Sequence, residues 1–371
     1  MATKRVLFVD DEPRVLEGLD NLLFDYTDAW QLRFATSGTE ALALLDSERF
    51  DVLVTDMRMP GMDGAELLRR AKQSHPSVVR IVLSGHADVE RALRAMPISH
   101  QFLSKPVAAE QLIEALARAC SLGALVESET LRESIGRLGD LPTRPRVASR
   151  LAEIAADENA SMKAFAEVIE RDIALATKVV KIASTAFFSR GASITSIRQA
   201  VMRLGQHFVQ DLVTCLEVFE HTTPATERAI ERLNRHSFLT GTIAKSIVAD
   251  SANAEMAFLA GTLHDIGKLV LITTGVQEED FAPVGHAEIG AYLLGLWGMP
   301  YPVMEAVAFH HRPWDVQHSG KQLVDVLYLA EMLAEELDGA DCQLDEHPAY
   351  LEQIGVAGSI DAYREAAAQL A

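Results

Sequence analysis

Short unbroken apolar runs alternate with helically spaced ones along the first 120 residues. Arg5-Val6-Leu7-Phe8-Val9 reads as a strand buried on both faces and stops at Asp10-Asp11-Glu12, after which Val15, Leu16, Leu19, Leu22 and Leu23 recur at helical spacing. The order returns four times. Leu32 to Ala35 precedes a helix from Gly38 to Leu45, and Val52 to Thr55 a helix from Asp63. Val78 to Leu83 precedes Asp88 to Ala95, and Gln101-Phe102-Leu103 precedes Glu110 to Ala119. Five strand-helix units predict a parallel sheet of five strands with helices on both faces.

The loops that follow parallel strands gather at one sheet edge, which in open α/β folds is where ligands bind. That edge collects Asp10, Asp11, Asp56, Ser84 and Lys105, each directly after an apolar strand. A single Asp before the Pro60-Gly61 loop most often caps a turn. Three carboxylates crowded together repel one another, and Mg²⁺ suits them because it takes few protein ligands and keeps its waters. Lys105 adds a phosphate-seeking point charge, and Ser84 a hydroxyl able to reach a phosphoryl oxygen. The set reads as a carboxylate, Asp56, that becomes an aspartyl phosphate.

These residues resemble the receiver domain of two-component response regulators. The matching segments are Val9-Asp10-Asp11-Glu12, Thr55-Asp56-Met57-Arg58-Met59-Pro60-Gly61-Met62-Asp63-Gly64, Leu83-Ser84-Gly85 and Phe102-Leu103-Ser104-Lys105-Pro106, over residues 4 to about 120. The resemblance implies a flavodoxin-like α/β domain whose Asp56 accepts a phosphoryl group from a histidine kinase or phosphotransfer protein. It further implies Mg²⁺ at Asp10, Asp11, Asp56 and the Arg58 carbonyl, with Ser84, Lys105 and the aromatic position Phe102 reading the phosphoryl group. Ala95-Met96-Pro97 stands where such domains more often carry Gly-Ala, a departure that touches the output face rather than the chemistry.

From Ala108 to about Arg137 only Gly123 and Gly136 interrupt a helical pattern, so residues 121–139 are expected to be a helical linker. Two forms fit: a last receiver helix prolonged into a signalling helix suited to pair in a homodimer, or an ordinary final helix with a short connector. Residues 140–371 are dominated by helical patterns (Val147 to Ala156, Ser161 to Ile169, Ile173 to Ala183, Ser196 to Leu204, Phe208 to Phe219), which predict an all-α bundle.

Histidines accumulate within that bundle. His264-Asp265 lies in the apolar stretch Ala257 to Leu269, read as one buried helix; His236 precedes it, and His286, His310, His311 and Glu331 follow. A lone His on an apolar face is usually a satisfied core residue, but imidazoles and carboxylates repeated on apolar helices are the makings of a first-row metal centre, Fe, Mn or Zn. Lys268 is a candidate phosphate contact or a solvated turn residue.

The segments Leu141-Pro142-Thr143-Arg144-Pro145, Ile169 to Leu175, Ile194 to Gly205 and Trp297-Gly298-Met299-Pro300 resemble the HDOD domain, a branch of the HD superfamily of metal-dependent phosphohydrolases, over about residues 140 to 340. The resemblance implies a signalling output module that works through contacts with a downstream protein. The superfamily's metal pattern is largely present, with Glu331 where Asp is usual. The Gly-Tyr-Pro element of relatives that hydrolyse cyclic di-GMP is replaced by Arg312-Pro313-Trp314, so that substrate is not supported. The competing reading is a metal-dependent phosphodiesterase or phosphohydrolase controlled by the receiver.

Composition narrows the partners. The chain of 371 residues carries a net charge of −19, which argues against a broad nucleic-acid or anionic-membrane surface. Cys120, Cys215 and Cys342 lack disulfide or thiolate-metal spacing. With no apolar run of membrane-span length expected and no signal-peptide pattern, the chain reads as cytoplasmic.

Overall fold

A computed structural model of the chain describes residues 3–26, 28–84, 97–138, 141–157, 160–185, 194–214, 223–281, 283–318, 320–339 and 347–370. The chain divides into two compact units, the first chiefly Met1–Gly139 and the second chiefly Asp140 onward.

In the first unit five strands, β1 (Lys4–Val9), β2 (Trp30–Ala35), β3 (Val52–Asp56), β4 (Val79–Ser84) and β5 (Gln101–Ser104), form one parallel sheet in the order β2-β1-β3-β4-β5. The central strands are the continuous apolar runs: Val6, Leu7, Phe8, Val52, Leu53 and Val54 are wholly buried, as strands covered on both faces must be. Register aligns Val9 with Thr55, Asp56 with Leu83, and Ser84 with Ser104, so the acidic strand ends share one edge. Helices Pro13–Leu22, Gly38–Ser47, Gly64–Ser74 and Ala109–Ser121 alternate with the strands. Their starts follow local chemistry: the Ser37 hydroxyl and the Asp63 carboxylate accept the backbone N–H of Glu40 and Glu66, three residues on. The expected helix from Asp88 to Ala95, and the Ala95-Met96 departure, lie outside the described residues.

The final helix is not prolonged. It ends at Ser121, a short 3₁₀ turn covers Leu122–Ala124, and a separate helix, Glu129–Arg137, starts where the Ser128 hydroxyl accepts the Leu131 N–H. This helix is held by Arg80, a β4 side chain only 1% exposed. The Arg80 guanidinium donates to the carbonyls of Gly136 (2.8 Å), Ile98 (2.7 Å), Pro76 (3.0 Å) and Val78 (3.0 Å). Burying a charge demands such complete satisfaction. At Gly136 a side chain has no room, since a Cβ would fall 1.9 Å from the Pro76 oxygen.

The second unit is helical. Helices Pro224–Ile247, Ser251–Leu263 and Leu323–Leu337 pack together around a core that includes Ile243, Ala257, Leu329 and Leu333, with Leu351 and Ile354 from the C-terminal segment. Ser161 and Ser196 cap the helices Met162–Ile169 and Ile197–Leu204. The helix expected over Phe208 to Phe219 is seen as Gln206–Thr214; the remainder, like Cys215 and Cys342, lies outside the described residues.

The chain departs from its sequence pattern in two respects. The stretch around His264-Asp265 is two helices, Ser251–Leu263 and Ile266–Thr274, with a turn between them at which Asp265 has φ −96° and ψ 15°. The same stretch, Ser251–Thr274, is long and apolar enough to cross a membrane, which the sequence reading had not recognised, although 72% of its most apolar window is buried within the fold. Glycines flank the break and allow close packing: a Cβ on Gly261 would lie 2.5 Å from the Gly241 Cα, and one on Gly267 would lie 1.9 Å from the His286 backbone oxygen. Each helix is held against a different neighbour by main-chain contact.

Candidate functional site

Two sites emerge, one per unit. At the sheet edge, β1 and β3 deliver Asp10 and Asp56, 2% and 7% exposed. The Lys105 ammonium, just past β5, lies 2.6 Å from Asp10 Oδ2 and also contacts Asp56 Oδ1. Burial opposes the charge on Lys105, but hydrogen bonds from its ammonium to Asp10 and Asp56 outweigh that and raise its pKa above the usual lysine value. The Arg58 N–H donates to Asp56 Oδ2, which brings the Arg58 backbone against the carboxylate. Gly64 lets the loop fold back: a Cβ there would fall 2.2 Å from the Asp56 backbone carbonyl oxygen. Asp11 is half-buried beside Asp10. Ser84 ends β4 next to these residues in register, and Phe102 is buried on β5 opposite Val82. The structure thus brings Asp10, Asp56, Lys105 and the Arg58 backbone into contact.

The second site is the histidine cluster. His264 and Asp265 come from the helix break, His310 from the end of the Tyr301–Phe309 helix, and Glu331 from Leu323–Leu337. All four are at most 1% exposed, and each offers a donor atom within 4.8 Å of the others. His264 Nε2 lies 3.4 Å from Asp265 Oδ2 and 3.9 Å from Glu331 Oε1; His310 Nε2 lies 3.5 Å from Glu331 Oε2. His286, His310 and His311 form an overlapping group on the more exposed side. There His311 Nε2 is 3.0 Å from His286 Nε2, and His286 Nε2 is 3.3 Å from Asp265 Oδ1.

Local geometry orients the rings. His264 Nδ1 hydrogen-bonds the Gly261 carbonyl at 2.7 Å and His310 Nδ1 the Val307 carbonyl at 2.6 Å, which puts the proton on Nδ1 and turns each Nε2 lone pair inward. Burial disfavours the charged imidazole: it pushes His264 down to about 3, His311 down to about 3, and His310 well below its ordinary value. At neutral pH these rings are free ligands. Burial and the neighbouring Asp265 hold the Glu331 carboxyl well above the carboxylate range. Burial opposes ionisation of Asp265, but His264, Lys268 and the other imidazoles outweigh it and lower its pKa.

The donor set fits a cation. His264 Nε2, Asp265 Oδ1, His310 Nε2 and both Glu331 oxygens are buried without a hydrogen-bond partner, and five orphaned polar atoms facing one another is a costly arrangement unless a metal ion joins them. Glu331 reaches the cluster despite its extra methylene. His236 stands beside it, with its ring centroid 5.3 Å from that of His264 and its Nδ1 3.5 Å from Asp338 Oδ2. Lys268 Nζ is bound to Asp265 Oδ2 at 2.7 Å. Sequence reasoning missed Glu278 and Asp338, whose carboxylates face His286 and His236 across spacings that carry no local signal.

Comparison with known proteins follows the same division. Profiles described as response regulator receiver domain, HDOD domain and HD domain match residues 6–117, 141–279 and 234–336. An uncharacterized protein of Treponema pallidum is 26% identical over 225 residues, covering 55% of this chain and 44% of its own length. The C4-dicarboxylate transport transcriptional regulatory protein DctD of Rhizobium meliloti is 30% identical over 163 residues, covering 42% of this chain and 35% of its own. The chain therefore spans less than half the length of these relatives. Among solved structures, the signal receiver domain of an HD domain-containing protein from Pseudomonas fluorescens is 34% identical, with TM-score 0.31, over 32% of this chain and 94% of that domain. The acidic edge and the histidine cluster fall within the receiver and HD matches respectively, and the chain belongs to the response regulators that join a receiver domain to an HDOD domain of the HD superfamily.

Proposed function

We propose that a histidine kinase or phosphotransfer protein transfers a phosphoryl group to Asp56, and that this transfer controls the second unit, which signals through contacts with a downstream protein in the cytoplasm. The observation that carries the reading is the pairing of Lys105 with both Asp10 and Asp56 at neighbouring strand ends. Asp56 attacks phosphorus as the bond to the donor histidine breaks, and Lys105 is placed to shift from the carboxylates to the new phosphoryl oxygens. Asp10, Asp11 and the Arg58 carbonyl would hold Mg²⁺, which supplies charge neutralisation at those oxygens. Ser84 and Phe102 would read the added charge.

The five orphaned atoms of the histidine cluster favour a second reading of the output, a metal-dependent phosphohydrolase. His264, Asp265, His310 and Glu331 would hold the ion, a Lewis acid for a phosphate ester, with His286 and His311 as further ligands at the accessible side and His236 behind. Lys268 is placed to meet an anionic group if it leaves Asp265.

Both readings are tested on one preparation. Labelled phosphoryl from a small-molecule donor should appear on the wild type and not on Asp56→Asn; label on the variant would move the acceptor elsewhere. Elemental mass spectrometry should find near-stoichiometric Fe, Mn or Zn, lost in His264→Ala/Asp265→Ala. Equal metal in both would reject the centre.

A further inference from the structure

We infer that Glu278 is a positioning residue that aims His286 at the histidine cluster, an inference that rests on reading the cluster as a metal centre. His264 and His310 each close a helix, and each bonds a carbonyl three residues back in its own last turn. His286 cannot do so. It is the first residue of its helix, His286–Leu296, and has no preceding turn to supply a carbonyl. Glu278, from the 3₁₀ turn Glu278–Phe281, takes that place: its Oε1 accepts the backbone N–H of His286 at 2.7 Å and the ring Nδ1–H at 3.0 Å. One oxygen thereby fixes both the start of the helix and the ring tautomer. With the proton held on Nδ1, the Nε2 lone pair faces Asp265 and His311.

The approach is built into the loop. A Cβ on Gly285 would come 2.9 Å from Glu278 Oε1, so glycine is what lets the carboxylate reach the helix start. The Gly285 N–H is itself held by Glu288 at 2.9 Å. The Glu278 side chain is 41% exposed while the His286 ring is 12% exposed, so the carboxylate works from outside the cluster on a ligand within it.

The test is Zn²⁺ affinity of the full metal-free chain, read by competition with a chromophoric chelator. Glu278→Ala should weaken binding about 10- to 100-fold, the usual effect of removing the partner of a ligating histidine. Glu278→Gln should stay within a few-fold of wild type, because its amide oxygen can accept both hydrogen bonds. In a His286→Ala background Glu278→Ala should add nothing, as expected when one residue acts only through the other. An unchanged affinity in Glu278→Ala, an equal loss in both backgrounds, or a Gln variant as weak as the Ala variant would overturn the inference while leaving the metal reading intact. Failure of the wild type to bind Zn²⁺ would overturn both.

Discussion

Glu331 Oε2 lies 3.5 Å from Nε2 of His310, and both atoms are buried without a hydrogen-bond partner. Neither residue is exposed to water, so the pair stands at a cost of several kcal/mol in the absence of a cation. Zn²⁺ or Mn²⁺ at 100 times its dissociation constant should then stabilise the protein by about 2.7 kcal/mol. Glu331→Gln removes a ligand and a buried carboxyl together. Calorimetry should show a metal-free melting temperature no lower than wild type and a much smaller rise on adding metal; an undiminished rise would take Glu331 out of the ligand set.

Lys105 makes a different prediction, in alkali. Burial lowers the pKa of its ammonium, but Asp10 and Asp56 more than compensate, so the folded value lies above that of the unfolded chain. Stability from this group is fully present below the unfolded lysine value of about 10.4 and is lost as pH rises through the folded value. Denaturant titrations above pH 10 should show stability falling more steeply in wild type than in Lys105→Met. Parallel curves would mean that the contact contributes nothing.

Burial pushes the Cys120 thiol up to about 12, with the Asp51 carboxylate adding in the same direction. Its thiolate is scarce at pH 8, about one part in ten thousand, and the side chain is buried. Iodoacetamide followed by peptide mass spectrometry should leave Cys120 unmodified in the native protein and label it in denaturant. Rapid native labelling would contradict the packing of the Ala109–Ser121 helix.

Gly136→Val should free the Glu129–Arg137 helix from the sheet. The clash with Pro76 would cost about 2 kcal/mol or more, and the Arg80 guanidinium would lose the Gly136 carbonyl. Hydrogen exchange should show lost protection confined to that helix and the Arg80 carbonyl partners. Retained protection would show that the loop at Pro76 accommodates the side chain.

Much of the first unit was legible because buried parallel strands are unbroken apolar runs, and their ends are marked where carboxylates appear: Asp10 after Val9, Asp56 after Thr55. The helix break at His264-Asp265 was not legible. Leu259 to Val270 carries no proline or turn signal, and the close contacts on either side of the break, Gly261 on Gly241 and Gly267 on His286, join segments distant in sequence. The histidines could be collected from residue type alone, whereas Glu278 could not, since an exposed Glu in an acidic chain carries no mark until a histidine is placed against it. The end of the final helix at Ser121 was hidden in the same way. Gly123 hinted at it, but the docking of Gly136 on Pro76 is a contact between segments 60 residues apart.

The close crossing at Gly241 and Gly261 sets a tolerance. Gly261 leaves no room for a side chain against the Gly241 main chain, and its carbonyl holds the His264 ring. Rotamer changes cannot absorb an error at such a joint, so His264 is placed with the precision of backbone against backbone. The half of the cluster near His286 and His311 rests instead on side-chain hydrogen bonds at the edge of solvent. The cluster therefore has a stiff side, at His264, and a yielding side, at His286 and His311.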